Sequence, residues 1–205
     1  MTVQAPQKAL SFDEFLAWYP EDGKQYELLD GEIREVRPIG EHEEIGGLIT
    51  RCLDREIERL NLPYIIPKTC CVKPLAPTEG YVPDVIVLDR RALRLEPLWR
   101  EASTITQGKS AKLVVEVVST NWHNDYARKL EEYELLEMPE YWIVDYRALG
   151  GRRYIGTPKN PVVTVYCLEN NEYVMEQFRG QDVIQSRVFS ELKITAESIL
   201  TLPEF

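Results

Sequence analysis

The segment Leu113-Val114-Val115-Glu116-Val117-Val118 constrains the fold of this chain more than any other. A run so rich in β-branched residues, apolar at both odd and even positions, belongs to a central strand covered on both faces of a sheet. Ser119, Thr120 and Asn121 offer caps for a helix predicted over 124–137, which Pro139 closes. Tyr141-Trp142-Ile143-Val144-Asp145-Tyr146 follows as a further strand. Strand, helix, strand in that order is a crossover unit, so the chain should be α/β, with helices packed on a sheet. Its 205 residues, 44% of them hydrophobic, suffice for one such core.

The flanking patterns extend this frame. Residues 1–10 read as a flexible arm and 11–205 as one domain, without repeat or linker. Ser11 followed three residues later by Glu14 has capping-box spacing and starts a short helix to about Trp18. Asp30-Gly31 between two partly alternating runs predicts a hairpin over 25–36. Ile45, Leu48, Ile49, Cys52, Leu53, Ile57 and Leu60 form one apolar stripe on a long helix over 41–60. Antiparallel strands are expected at 64–67, 69–75 and 81–88, and an irregular stretch at 89–111. Further strands are expected near 152–155, 162–168 and 172–178, and a last helix near 195–200.

Composition removes several function classes. No apolar run reaches the roughly 18 residues that span a bilayer, and the start lacks a basic flank followed by an apolar stretch, so a cytoplasmic protein without membrane contact is expected. Cys52, Cys70, Cys71 and Cys167 have no zinc-ligand or disulfide-framework spacing. With only His42 and His123, neither in a nucleophile-elbow context, a Ser/His/Asp or Cys/His hydrolase is disfavoured, and no Gly-rich phosphate loop suggests a nucleotide cofactor. The 34 acidic against 24 basic residues give a net charge of −10, which argues against unselective coating of nucleic acid but leaves room for a local basic groove, with Arg90, Arg91, Arg94, Lys109 and Lys112 as candidates.

Three residues violate the pattern around them. Glu116 places an acid inside a strand buried on both faces, and Asp84 places another at the entrance of Val85-Ile86-Val87-Leu88. Two acids on neighbouring strands repel; a hard divalent cation, or Lys, Arg and backbone N–H partners, would relieve them. Lys129 lies within about 60° of Tyr126, Tyr133 and Leu136, on the helix side that packs on the sheet. Its ammonium either answers the two acids, stabilises an attacked phosphate, or snorkels to water.

Together, Tyr26-Glu27-Leu28-Leu29-Asp30-Gly31-Glu32, His42, Pro83-Asp84-Val85, the Glu116 strand through Ser119, Asp125 with Lys129 and Tyr133, and Pro139-Glu140-Tyr141-Trp142-Ile143-Val144-Asp145 resemble the Uma-type restriction-endonuclease-like family, a branch of the PD-(D/E)XK nucleases. The resemblance runs in order from about residue 11 to 178. It implies a restriction-endonuclease-like core with a mixed central sheet flanked by helices, an N-terminal β-hairpin and additional C-terminal strands. It also implies a divalent-metal site for Mg²⁺ or Mn²⁺ and cleavage of nucleic acid, DNA foremost, by a homodimer. Asp84 resembles the Asp of the Pro-Asp motif and Glu116 the acid of the next strand motif, with the carbonyl of Val117 as a further ligand. The family lysine normally stands two residues after that acid, where this chain has Val118; Lys129 resembles a lysine moved to the following helix. Glu27 resembles an early acid that holds a second metal or its water, against the alternative of a solvated hairpin charge. His42 matches a histidine at the start of the long helix, against a helix cap, and Tyr133 is either packing or a contact to Lys129. The competing function is a non-catalytic member of the same fold, acting in binding, oligomerisation or regulation, with its carboxylates neutralised internally.

Overall fold

The structure, a computed structural model, describes residues 8–202. Most of the expected arm therefore lies outside the described residues; Leu10 donates its N–H to the Gly31 carbonyl at the hairpin turn. Helix α1 (Phe12–Trp18) begins with the capping box, both reciprocal bonds between Ser11 and Glu14 being made. Strands β1 (Gln25–Leu29) and β2 (Glu32–Val36) close on Asp30 and Gly31, both at positive φ (53° and 74°), the backbone a two-residue hairpin turn requires. A Cβ on Gly31 would also fall 2.5 Å from Ala9. Helix α2 (Gly40–Arg59) buries Ile45, Ile49, Leu53 and Ile57, one residue per turn along a single line.

The remaining elements build a six-stranded sheet with strand order β10-β9-β8-β7-β5-β3. It comprises β3 (Tyr64–Ile65), β5 (Val85–Asp89), β7 (Ala111–Val117), β8 (Glu140–Asp145), β9 (Val162–Glu169) and β10 (Glu172–Phe178). Only β7 and β8 run parallel; the other neighbours are antiparallel, so the sheet is mixed, as expected. One face carries Val85, Leu113, Val115, Val117, Trp142 and Val144 against α2 and helix α6 (Ala196–Leu200). The other carries Ile86, Val114, Tyr141 and Ile143 against Tyr126, Tyr133 and Leu136. A third cluster joins Phe12 and Phe15 of α1 to Tyr26 and Leu28 of the hairpin.

Four expectations change. The segment expected as strand 69–75 forms only the short β4 (Cys71–Val72), parallel to β6 (Thr104–Ile105) and joined to Tyr81 by the single antiparallel bridge of Val72, because Pro67 and Pro74 interrupt it on either side. The irregular stretch holds β6, the short helix α3 (Trp99–Ala102) and two 3₁₀ turns. The helix expected over 124–137 opens as a π-helix, Asn124–Lys129, continues as α4 (Leu130–Leu135) and ends at Glu137, φ 57°. Residues 152–155 form one helical turn, α5 (Arg152–Ile155), in which Tyr154 stacks on Tyr126 with ring centroids 5.0 Å apart.

Candidate active site

In the β5–β7 ladder Val85 faces Val115, so the next step outward sets Asp84 opposite Glu116 on the same face of the sheet. That face lies under the π-helix. Lys129 points down from it, its Nζ 2.9 Å from Glu116 Oε2, 3.1 Å from Glu27 Oε1 and 3.9 Å from Asp125 Oδ1. The Tyr133 hydroxyl donates to Glu116 Oε1 at 2.8 Å, so its polar partner is the acid and not Lys129. Glu27 accepts the Val82 N–H at 3.0 Å and is largely enclosed, unlike a solvated hairpin charge. Asp84 Oδ2 accepts the Val117 N–H at 2.7 Å. His42 does not cap its own helix: its Nε2 lies 2.7 Å from the Val117 carbonyl oxygen and 3.3 Å from Asp84 Oδ2, and so ties the entrance of α2 to the ends of both strands. Glu27, His42, Asp84, Glu116, Lys129 and Tyr133 thus stand in one cluster.

Burial and crowding of like charge shape its electrostatics. Burial pushes the Glu116 carboxyl well above its ordinary range; the Lys129 ammonium pulls it back in part, and Asp84, Asp125 and Glu27 push it further up. Asp125, seven per cent exposed, is pushed up to about 7 by the same balance. Burial alone would lower Lys129, but Glu116, Glu27, Asp125 and Asp84 outweigh it and hold the ammonium well above its usual value. Burial also lowers His42, and Asp84 with the Val117 carbonyl reverses that into a net rise. Four acids face one ammonium and one imidazole: negative charge is in surplus.

Glu27, His42, Asp125 and Lys129 of this cluster line a cleft of about 380 Å³; Asp84 and Glu116 contact those residues without lining it themselves. The lining of the cleft includes the hairpin edge from Arg34 to Ile39, the loop Val118–Asn121, and Tyr146 with Arg147. The basic residues expected to form a groove do not reach it. Arg90 and Arg91 follow the far end of β5, about 20 Å from Asp84 at about 3.3 Å per residue, and Lys112 pairs there with Asp89 at 3.5 Å. Arg34, Arg37 and Arg147 line the cleft in their place. Sequence reasoning assigns Asp125 no role of its own; its four-residue spacing to Lys129 on one helix side is the signal that marks it.

The donor set suits a hard cation: anionic oxygens in surplus around partly aligned strand ends. Asp125 carries no hydrogen bond on its carboxylate among the described residues, and the Val117 carbonyl keeps a lone pair beyond the one facing His42. Among the described residues no three acid, imidazole or thiol groups already converge to hold a metal ion. Both oxygens of Glu116 are taken by Lys129 and Tyr133, so a cation there must compete with those donors.

Comparison with known proteins agrees with this architecture. A solved structure from Anabaena variabilis, described as a putative nuclease belonging to DUF820, superposes with a TM-score of 0.67 at 16% identity over 93% of this chain and 97% of that one. The likeness is one of fold. No curated protein is a significant match. The family model described as "Putative restriction endonuclease" matches residues 12–197, a stretch that holds the whole cluster, and the chain therefore belongs to the Uma2 family.

Proposed function

We propose that this protein is a divalent-metal-dependent endonuclease that hydrolyses phosphodiester bonds of nucleic acid, foremost DNA. The observation that carries it is the surplus of buried carboxylates around Lys129 at the floor of an open cleft. Asp84, Glu116 and the Val117 carbonyl would hold Mg²⁺ or Mn²⁺, with Glu27 as auxiliary acid. Such an ion supplies a polarised phosphoryl oxygen and a more acidic water.

The chain's own groups do the rest. Lys129 offsets charge on the phosphate as the water oxygen bonds to phosphorus and the bond to the leaving sugar oxygen breaks, that oxygen taking a proton from solvent water in the cleft. A carboxylate of the cluster accepts the proton of the water. Tyr133 fixes the rotamer of Glu116, the Val117 N–H fixes Asp84, and His42 holds the strand end that carries the Val117 carbonyl.

One observation favours a non-catalytic member instead: Glu116 already has a donor on each oxygen. Cleavage of plasmid, single-stranded and branched DNA in Mg²⁺ and Mn²⁺ decides between the two. The nuclease predicts cleavage by the wild type and its loss in Asp84→Ala, Glu116→Ala and Lys129→Ala proteins that remain folded. No cleavage, together with no Mn²⁺ binding by calorimetry, would establish the non-catalytic reading.

A further inference from the structure

The cleft walls carry a combination that the acidic floor does not explain. Arg34 and Arg37 stand exposed on the hairpin and Arg147 stands exposed just after β8, the last with no ion pair among the described residues. Arg34 and Arg37 meet only acids two residues away on their own hairpin, Glu32 and Glu35, and exposed pairs of this kind are worth little and are readily exchanged for phosphate. The same lining holds two apolar surfaces, Ile39, 53% exposed, and the half-buried ring of Tyr146. A chain with a net charge of −10 that lines one cleft with three arginines has reserved that cleft for an anion.

We infer that the cleft binds single-stranded polynucleotide in preference to duplex, with Arg34, Arg37 and Arg147 on the phosphates and Ile39 and Tyr146 against base faces. This rests on the nuclease reading and names its substrate class. Two observations carry it. First, a cleft of about 380 Å³ is at the low end of the roughly 300–1,000 Å³ that encloses one small molecule, so it has room for about one nucleotide and not for a base pair with both its backbones. Glu116 and Asp125 are almost wholly buried and Asp84 and Glu27 are largely enclosed, so the backbone must enter the cleft to reach them. Second, cations beside apolar and aromatic surfaces are what an unpaired strand uses, since its base faces are free to stack; in a duplex those faces are hidden, and Ile39 and Tyr146 would meet only backbone.

Fluorescence anisotropy with a short labelled single strand and the blunt duplex of the same sequence, over a range of salt, tests this. The single strand should bind at least about tenfold more tightly. Replacing Arg34, Arg37 and Arg147 together by Ala should weaken it by a further tenfold or more and reduce the slope of log K against log salt by about 0.7 for each phosphate no longer neutralised. Tyr146→Ala should weaken the single strand and leave duplex binding alone, and Arg90→Ala with Arg91→Ala, at the far end of the sheet, should change neither. Equal or tighter duplex binding overturns the inference, as does a triple variant that binds like the wild type. Selective single-strand binding without cleavage in Mg²⁺ would remove the nuclease reading and keep the cleft assignment; cleavage confined to duplex would do the reverse.

Discussion

Lys129 is the residue on which the cluster depends electrically. Its ammonium, five per cent exposed, faces Glu116 and Glu27 within 3.1 Å, and no other cation reaches those two acids within ion-pair distance among the described residues. Lys129→Met keeps most of the volume and removes the charge, leaving buried acids uncompensated, and should cost about 3–5 kcal/mol of stability by urea unfolding without metal; a cost below about 1 kcal/mol would mean that the acids are held neutral. The cysteines give an independent check on burial. Burial pushes Cys70 up to about 12 and Cys167 up to about 11. At pH 8 both are almost entirely thiol, so a thiolate-selective reagent should leave them unmodified in the folded protein and react first at half-buried Cys52. Fast modification of Cys70 without unfolding would contradict its packing. At this scale the sequence was informative wherever a charge interrupted an apolar pattern: Glu116, Asp84 and Lys129 all announced themselves that way. Glu27 and His42 did not, because each sits among other polar residues and only long-range partners, Val82 and Val117, bury them.

Among the elements, legibility followed periodicity. The stripe of α2 and the capping box of α1 were plain, because their signals repeat or pair within a few residues. The π-helix was not, since a one-residue expansion of a helical turn leaves no mark on composition; yet it is the element that delivers both Asp125 and Lys129 to the buried side. The parallel β4–β6 pair was equally hidden, for its partners are more than thirty residues apart. Tight approach between elements is testable at Gly108, where a Cβ would stand 1.9 Å from the Leu136 carbonyl oxygen at the end of α4. Backbone cannot yield as a side-chain tip does, so Gly108→Ala should destabilise by about 2 kcal/mol or more, and a melting temperature equal to that of the wild type would refute so close an approach. Gly46→Ala, in open space on α2, should instead be neutral or mildly stabilising.

For the whole molecule, the shifts of the cluster add in one direction. Asp125, and Glu116 with it, holds its proton more tightly when folded than when unfolded, so that contribution is complete below about pH 4 and is lost as pH rises towards 7. His42, also raised, contributes below its unfolded value near 6.5 and loses that as pH rises through its folded one. Lys129 is constant until far more alkaline conditions. The opposite case, an acid lowered in the folded state, is Glu14, down to about 2, whose contribution fades only as pH falls through the acidic range. The metal-free protein should therefore melt highest near pH 5 and several degrees lower at pH 8, and Asp125→Asn should flatten that slope. A melting temperature that climbs from pH 5 to pH 8 would show that the cluster does not set the balance.

The cluster draws on five separated stretches of the chain: Glu27 from the hairpin, His42 from α2, Asp84 from the entrance of β5, Glu116 from β7, and Lys129 from the helix between β7 and β8. No fragment that stops short of residue 129 contains the lysine, and none that stops short of 140–145 contains the β8 strand that flanks β7. A ribosome part-way through this message thus carries a chain without the assembled cluster. Products of incomplete translation lack the lysine or the strand that supports its acids, so whatever the cluster does begins only when about seven tenths of the polypeptide has been made and folded together.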